Sequence, residues 1–228
     1  MSSEQPLPII GGTGDLGFGL AVRFARAGVH VVIGSRDQAR AEEAAARARE
    51  LVPEGRIDGQ VNAEAATRGE LVVLSVPFAA QAGTLKGLAE ALQPGQVLVD
   101  ATVPLATAVG GKPTRLLGVP QGSAAAQAQE LVPEGVTVVS AFHTLAADKL
   151  KDLGGELDED VLIAGDSREA KRKLAELVRR VPGLRPINAG TLEAARLVEG
   201  LTPLLISVNV RNKVHAGIKL TGIPEPKW

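Results

Sequence analysis

The sequence contains no cysteine among its 228 residues, and aromatic residues make up only 2% of it. Without cysteine, the chain cannot form disulfides, iron–sulfur clusters or thiolate zinc sites. The only histidines are His30, His143 and His215. We therefore expect no metal site, because three scattered histidines make a multi-histidine centre improbable.

The sequence also lacks a strong charge of one sign and a long apolar run. Its formal net charge is −1, which argues against a surface for nucleic acid or anionic membranes. No uncharged apolar stretch approaches the roughly 20 residues needed to cross a bilayer. Residues 1–8 show neither the basic region nor the apolar region of a signal peptide. We therefore expect a cytoplasmic protein whose partners are small molecules.

The sequence is instead rich in aliphatic residues, arranged as short apolar runs that alternate with helix-like segments. Apolar residues make up 45% of the chain, and runs of Val, Leu and Ile suit parallel strands buried on both faces. The predicted strands cover residues 6–10, 30–33, 60–62, 71–76, 96–100, 137–140, 161–164 and 184–189. This alternation predicts an α/β fold with a Rossmann-type, doubly wound parallel sheet and right-handed crossovers.

The end of the chain departs from this alternation. A long helix is predicted over residues 193–214, with a kink or break at Pro203. We therefore divide the chain into a Rossmann-type domain of residues 1–190 and a small, mainly helical C-terminal lobe of residues 191–228.

The first predicted strand ends in a glycine-rich turn that opens a helix. Gly12, Gly14 and Gly17 form a G-x-G-x-x-G pattern there. Such glycines permit a tight turn, close approach of the backbone to a pyrophosphate, and close packing of helix on strand. The helix N-terminus then faces the phosphates. The pattern alone is weakly specific in a chain with 26 glycines, so a merely structural turn is the alternative to the dinucleotide site that we favour.

The second predicted strand ends in Ser35 and Arg36, where NAD-binding folds usually place an acid that holds the ribose 2′-hydroxyl. No acid occurs until Asp37. The Ser35 hydroxyl and the Arg36 guanidinium suit the 2′-phosphate of NADP, and Arg40 lies one helical turn further on. We therefore favour NADP over NAD. The alternative is that both arginines are solvated charges at the start of a helix.

Two further turns follow predicted strands. Val76 precedes a proline just beyond the fourth strand, and Val103 does so just beyond the fifth. Ligands of open α/β sheets bind at the carboxyl ends of strands, so we expect both valines to line the cofactor cleft. Ordinary strand-ending prolines are an equally weighted alternative.

His143 lies in the segment that follows the sixth predicted strand. Its side chain could contact the nicotinamide region or the redox partner, or it could hold the loop by a hydrogen bond, and the residue type does not decide between these roles. Hydride transfer between two planar cofactors requires no general acid from the protein. His143 therefore need not be catalytic even if it lies in the site.

Beyond these motifs, the chain resembles the F420-dependent NADP reductases, also called NADPH:F420 oxidoreductases, over nearly its whole length. The similarity is carried, in order, by GGTGDLGFGLAVRFARAGVHVVIGSR, VLSVPF, VVSAFHTLAA, DVLIAGD, GLRPINAG and RLVEGLTPLLISVN. The resemblance implies reversible hydride transfer between C5 of the deazaflavin coenzyme F420 and C4 of the nicotinamide of NADP(H). It implies no catalytic acid or base, and it implies a homodimer with the C-terminal helices near the partner.

The resemblance also implies which residues bind the two cofactors. Those that hold NADP(H) are Gly12, Thr13, Gly14, Asp15 and Leu16 at the pyrophosphate, Ser35, Arg36 and Arg40 at the 2′-phosphate, and Val76, Val103 and Ala147 at the nicotinamide. Those expected near F420 are His143, Thr144, Ala216 and Gly217. Asp15 takes the place of an asparagine found in some members, and Ala216 that of a larger leucine.

Two other classes of function remain as alternatives. One is another small NADP-dependent reductase, with a flavin, imine or metal ion as the acceptor. This chain has no tyrosine, which excludes the short-chain dehydrogenase type with its tyrosine acid. The other is a non-catalytic domain that senses NADP, which predicts binding of NADPH without turnover.

Overall fold

A computed structural model describes residues 5–223 and 228 of the chain. In this part of the chain, eight strands form one sheet with helices on its faces. The strands are β1 (Leu7–Ile10), β2 (Val31–Ser35), β3 (Ile57–Val61), β4 (Leu71–Leu74), β5 (Val97–Asp100), β6 (Thr137–Ser140), β7 (Glu159–Ala164) and β8 (Leu184–Gly190). The helices are α1 (Asp15–Arg26), α2 (Gln38–Leu51), α3 (Asn62–Ala66), α4 (Phe78–Gly87), α5 (Ala124–Leu131), α6 (Ala147–Lys151), α7 (Arg168–Val178) and α8 (Ala195–Asn212).

The strand order is β3-β2-β1-β4-β5-β6-β7-β8. Strands β1 to β6 are all parallel. The chain builds outward from β1 in one direction and then from β4 in the other, so β1 and β4 are neighbours at the switch point of the sheet. Ligands of doubly wound folds bind at the carboxyl ends of the strands at this point. The predicted fold class is confirmed.

One strand departs from the predicted parallel sheet. Strand β7 is antiparallel to β6, and the two pair only where Ser140 faces Ala164, the last residue of each strand. The rest of β7, with its parallel neighbour β8, therefore lies beyond the carboxyl end of β6. The prediction fails here because an apolar run carries no information on strand direction. In addition, the segment between the two strands contains only the five-residue helix α6, which is too short for a normal parallel crossover.

The strands are buried on both faces, and successive side chains enter two different cores. Ile9 belongs to the cluster that α1, α2 and α7 cover, whereas Ile10 belongs to the cluster under α4 and α5. Phe24 of α1 meets Phe142 edge to face, with ring centroids 6.0 Å apart, within the first cluster. Aliphatic side chains therefore fill a hydrophobic core on each face of the sheet, as the sequence predicts.

Helix α8 continues through Pro203 rather than breaking there. Val198 and Leu205 are buried on either side of the proline, and Val198 packs on Leu162 of β7. This anchoring offsets the loss of one backbone hydrogen bond at the proline. None of the helices within residues 5–223 has the length and apolar character required to cross a membrane.

Candidate cofactor-binding site

The turn after β1 has its left-handed residue one position before the predicted glycine pattern. Gly11 has a φ of +74°, a backbone conformation that favours glycine. A Cβ atom added at Gly11 would lie 2.5 Å from the carbonyl oxygen of Ser75, and one added at Gly12 would lie 2.8 Å from the carbonyl oxygen of Ile9. The turn after β1 is therefore pressed against the segment that follows β4, at the switch point of the sheet.

The start of α1 is open to an anion. A Cβ atom at Gly17 would lie 2.8 Å from Gly11 O, which shows how closely the helix packs on the turn. At Gly14 the nearest atom would be 3.4 Å away, so this glycine leaves space above the backbone. Gly14 is the N-cap of α1 and has no side chain to bond the first-turn N–H groups. These features fit the pyrophosphate of a dinucleotide.

Two predicted site residues direct their side chains away from the turn. The Asp15 carboxylate lies 3.2 Å from Lys151 Nζ of α6, and Lys151 also pairs with Asp148 at 3.0 Å. Both carboxylates raise the pKa of Lys151. Leu16 packs on the core cluster beside α1. If Asp15 and Leu16 contact a cofactor here, they do so through their backbone amides.

A cavity of about 520 Å³ lies at the carboxyl ends of β1, β2 and β4. Its lining residues are Gly11, Thr13, Gly14, Ser35, Arg36, Asp37, Arg40, Asn62, Ser75, Val76, Pro77, Ala80 and Thr84. Residues that were predicted from three separate motifs, the glycine turn, the end of β2 and the turn after β4, thus meet in one space.

The arginines at the edge of this cavity have no ion-pair partner among the residues that the structure describes. Within residues 5–223, no carboxylate forms an ion pair with Arg36 or Arg40. Asp37 caps α2 by accepting from Arg40 N at 2.9 Å, and its own N–H donates to Ser35 Oγ at 3.3 Å. Because Asp37 is held as a helix cap, two unpaired guanidinium groups face the cavity, which fits a phosphate.

Asn62 is a cavity residue for which no role was predicted from the sequence. It lines the 520 Å³ cavity and also a neighbouring cavity of about 500 Å³ that shares Ser35, Arg36, Ala80 and Thr84 with it. The Asn62 Oδ1 atom is buried without a hydrogen-bond partner. The available signal was a polar residue directly after the third strand, at the same sheet edge as Arg36.

Val103 and Ala147 lie further along the same edge, outside the lining of that cavity. Val103 is half-buried in the turn after β5, and its carbonyl accepts from Leu105 N at 2.8 Å. Ala147 is the first residue of α6, which packs so closely on α1 that a Cβ atom at Gly19 would lie 3.2 Å from Ala147 O. The two residues therefore follow β5 and β6 in the order expected of a cofactor that extends across the sheet edge.

The loop after β6 holds a strained residue beside a buried histidine. Phe142 has a φ of +73°, although it is not a glycine. His143 is only 5% exposed, and neither ring nitrogen has a hydrogen-bond partner of good geometry. Burial lowers the pKa of His143 to about 4, against a smaller opposing effect of the Thr102 backbone. The ring is therefore neutral near pH 7, and strain of this kind often occurs at functional sites.

The neighbours of His143 tie this loop to helix α8. Thr202 Oγ1 donates to the carbonyl oxygen of His143 at 2.8 Å. Thr144 is also buried, with 4% of its surface exposed. The backbone of the loop is therefore fixed from α8, which the sequence assigned to the C-terminal lobe.

Ala216 and Gly217 follow α8 and lie beside the start of β7. Ala216 N donates to Asn209 Oδ1 at 2.8 Å, and a Cβ atom at Gly217 would lie 2.2 Å from Glu159 Cδ. The preceding residue, His215, has its Nε2 4.0 Å from Asp148 of α6. The tail therefore reaches the region of α6 where Ala147 lies.

A buried polar cluster follows β5, and no pattern in the sequence indicated it. The Asp100 carboxylate is inaccessible to solvent and accepts from Thr102 N at 2.6 Å and Gln81 Nε2 at 2.5 Å. Burial raises the pKa of Asp100 to about 6. The cluster fixes the turn that carries Val103.

The sheet order, the switch-point cavity and the open glycine turn are those of a Rossmann-type fold of the dinucleotide-binding class. A family model described as "NADP oxidoreductase coenzyme F420-dependent" matches residues 7–104. Relatives that are similar over almost the full chain extend this match beyond residue 104. The chain therefore belongs to the family of F420-dependent NADP reductases. The resemblance found in the sequence is thereby confirmed.

The relatives that show this are similar over almost their entire length. The F420-dependent NADP reductase of Methanothermobacter marburgensis is 43% identical over 96% of this chain and 99% of its own. The F420-dependent NADP reductase of Methanocaldococcus jannaschii is 42% identical over 95% of this chain and 98% of its own. A crystal structure described as an F420-dependent NADP reductase from Arthrobacter sp. FB24 has a TM-score of 0.80 at 27% identity, covering 95% and 99% of the two chains.

Proposed function

We propose that the protein catalyses reversible hydride transfer between NADP(H) and the deazaflavin coenzyme F420. The observation that carries the proposal is the meeting of the open start of α1 with Arg36 and Arg40 in one cavity, in a chain 43% identical to an F420-dependent NADP reductase. The two coenzymes supply the redox chemistry, with hydride moving between nicotinamide C4 and deazaflavin C5. The chain's own residues bind and orient the two coenzymes, and they exclude water from the site.

The proposed function includes an orientation of the dinucleotide along the cavity. Arg36 and Arg40, with the hydroxyl of Ser35, hold the adenosine 2′-phosphate at the end of β2. The backbone amides from Thr13 to Leu16, with the space above Gly14, hold the pyrophosphate. The nicotinamide then extends along the sheet edge toward Val76, Val103 and Ala147, whose apolar side chains keep water from one face of the ring.

The loop after β6 and the tail would hold the deazaflavin, which would supply the hydride acceptor or donor. His143 and Thr144 contribute from the loop, and Ala216 and Gly217 close the site from the tail. Because the ring of His143 is neutral near pH 7 and both of its nitrogens are buried, we assign it a role in shaping the loop against the ligand and none as a general acid or base.

The C-terminal lobe also supplies a contact for a second copy of the chain. Leu197, Leu204 and Val210 of α8 expose 63%, 55% and 73% of their surfaces. Large apolar side chains exposed along one helix mark an interaction site, and we assign this one to a homodimer. Sedimentation of the wild type and of Leu204→Lys checks the assignment, and a monomeric wild type contradicts it. A cytoplasmic location stays a prediction from the sequence.

The reaction is tested by mixing the protein with NADPH and oxidised F420 and following the loss of deazaflavin absorbance. We expect turnover with NADPH. Tight binding of NADPH without turnover would instead favour the sensing domain, and turnover with a flavin, imine or metal ion but not with F420 would favour another reductase.

A His143→Ala variant separates binding from chemistry: we expect a higher KM for F420 and an unchanged kcat. A large fall in kcat would give His143 a role in the chemical step.

A further inference from the structure

Glu199 of α8 is a buried carboxylate that the proposed reaction does not use. Only 1% of its surface is exposed. Its two oxygens accept from the first N–H groups of α5, with Oε2 3.0 Å from Ala124 N and Oε1 3.1 Å from Ala125 N. Ser123 is the N-cap of the same helix and accepts from Ala126 N at 3.0 Å. A side chain from α8 thus completes the cap of a helix about 75 residues earlier in the chain.

The same helix start is joined to the turn after β5. Gln81 Nε2 lies within hydrogen-bond distance of Ala124 O at 3.0 Å, Thr102 Oγ1 at 2.6 Å and Asp100 Oδ2 at 2.5 Å. Gln81 is fully buried, and its oxygen accepts from Gln127 Nε2 of α5 at 2.7 Å. A continuous buried network therefore runs from Glu199 through the start of α5 to Asp100 and Thr102, the residue before Val103.

Glu199 shares its face of α8 with Thr202, three residues further on, which bonds the loop after β6 at His143 O. The two side chains anchor α8 at separate points. Thr202 holds α8 to the loop of His143 and Thr144, on the deazaflavin side of the site. Glu199 holds α8 to the turn of Val103, on the nicotinamide side.

We propose that Glu199 is a positioning residue that fixes the distance between the deazaflavin side and the nicotinamide side of the site. This inference rests on the proposed function. The ionised carboxylate is the form that bonds both amides, because a protonated carboxyl group has one oxygen occupied as a donor. Hydride transfer requires the reacting carbons about 3–3.5 Å apart, so a loosened α8 lowers the rate of transfer more than it lowers the affinity for NADPH.

The charges around Glu199 make its bonding depend on pH. Burial raises its pKa to about 7, the amides of Ala124 and Ala125 oppose this, and the charge of Asp100 raises it further. Helix α5 presents the N–H groups of Ala124 and Ala125, and β5 presents the charge of Asp100. Within the described residues, no lysine or arginine forms an ion pair with Glu199. Loss of its proton near pH 7 therefore completes the cap of α5.

The test compares Glu199→Gln with Glu193→Gln, an exposed glutamate just before α8 whose side chain is 80% exposed. We expect Glu199→Gln to lower kcat for NADPH and F420 about tenfold, with the KM for NADPH unchanged, and Glu193→Gln to behave as the wild type. The kcat of the wild type rises with pH near 7, and Glu199→Gln loses this rise. Amide exchange gives a second readout: Ala124 and Ala125 become better protected as the pH rises through 7 only when Glu199 is present.

Asp100→Asn keeps Glu199 and removes the smaller of the two effects that raise its pKa, burial being the larger, so we expect the rise in kcat to move slightly to lower pH. If Glu199→Gln does not fold, the wild type decides the matter through the protection of Ala124 and Ala125 as the pH rises through 7. A folded Glu199→Gln with wild-type kcat, pH profile and amide protection overturns this inference alone, as does a wild type in which neither kcat nor that protection changes across pH 7. If the wild type does not turn over NADPH and F420, the proposed function fails and this inference fails with it.

Discussion

The charged side chains at the two ends of the candidate site differ in their burial and in their partners. At the adenosine end, Arg36 and Arg40 are exposed and have no carboxylate partner in the described part of the chain. At the opposite end, Asp100 and Glu199 are buried, bonded by amides and hydroxyls, and have raised pKa values. Exposed charges without partners lower the stability of the fold little, and they remain free to contact a ligand. Buried charges are costly unless they are bonded, so they fix the protein itself. We therefore expect the exposed arginines to control ligand specificity and the buried carboxylates to control the internal geometry of the site.

The largest effect is expected from removing the open charges. In the double variant Arg36→Ala, Arg40→Ala, the 2′-phosphate loses two charge-assisted contacts of about 2 kcal/mol each. We therefore expect the preference for NADPH over NADH, measured as the ratio of kcat/KM, to fall about 1,000-fold. The melting temperature should stay close to that of the wild type. An unchanged preference would show that the phosphate lies elsewhere.

The buried charge of Glu199 should affect stability, with a defined sign. Its pKa is about 7 in the folded chain against an ordinary 4.5. The folded state therefore holds the proton more tightly, and the resulting stability is present below pH 4.5 and lost as the pH rises to 7. The shift of 2.5 units corresponds to about 3 kcal/mol.

We expect urea denaturation to show a fall in the free energy of unfolding between pH 5 and pH 8 that is about 2.5 kcal/mol smaller in Glu199→Gln than in the wild type. The difference between variants is the useful quantity, because Asp100 and His143 titrate in the same range and are present in both. Equal pH dependence in the two proteins would mean that Glu199 is ionised at both pH values.

A packing change at the glycine turn should have the next largest effect. A Cβ atom in Gly17→Ala would meet backbone at 2.8 Å, and backbone cannot move aside as a flexible side chain can. We expect a loss of about 2 kcal/mol in the free energy of unfolding, together with weaker NADPH binding. Gly83→Ala in α4 is the matched control, since nothing lies within 4 Å of its Cβ position and alanine favours a helix. A stable Gly17→Ala would show that α1 can shift away from β1.

The smallest effect is expected at Asp15. Its side chain is 88% exposed and pairs with Lys151 at 3.2 Å, and an ion pair of this kind contributes less than about 1 kcal/mol. We expect Asp15→Asn to change the KM for NADPH less than about twofold, since the backbone amide is the group offered to the cofactor. Steady-state kinetics with NADPH as the varied substrate checks this. A tenfold change would place the carboxylate itself in the site.

The sequence predicted the parts of the fold that short-range patterns encode. The glycine turn and the strands that end near Arg36 and Val76 depend on residues close together in the chain. The cavity follows from them, because parallel strands bring their carboxyl ends to one edge. Family membership required the whole chain, since the glycine turn alone does not indicate a deazaflavin.

Features that depend on distant contacts could not be predicted in this way. The direction of β7 is set by its pairing with β8 and the tail, and nothing within its own six residues encodes it. Gln81 and Glu199 resemble ordinary polar helix residues until α5 is folded between them. Asn62 could have been considered, because it follows a strand at the ligand edge, but its exposure to two cavities depends on α4.

The reversal of β7 has a consequence for folding during synthesis. The N–H of Asp160 donates to Ile218 O at 2.7 Å, and its buried carboxylate accepts from Leu220 N at 2.6 Å and from both Nε and Nη2 of Arg185. Until about sixty further residues have left the ribosome, this strand has an unpaired edge and a buried acid without all of its partners. The Rossmann-type strands β1 to β6 can form first, whereas the exposed edge of β7 is covered only once residues 218–220 have been synthesised.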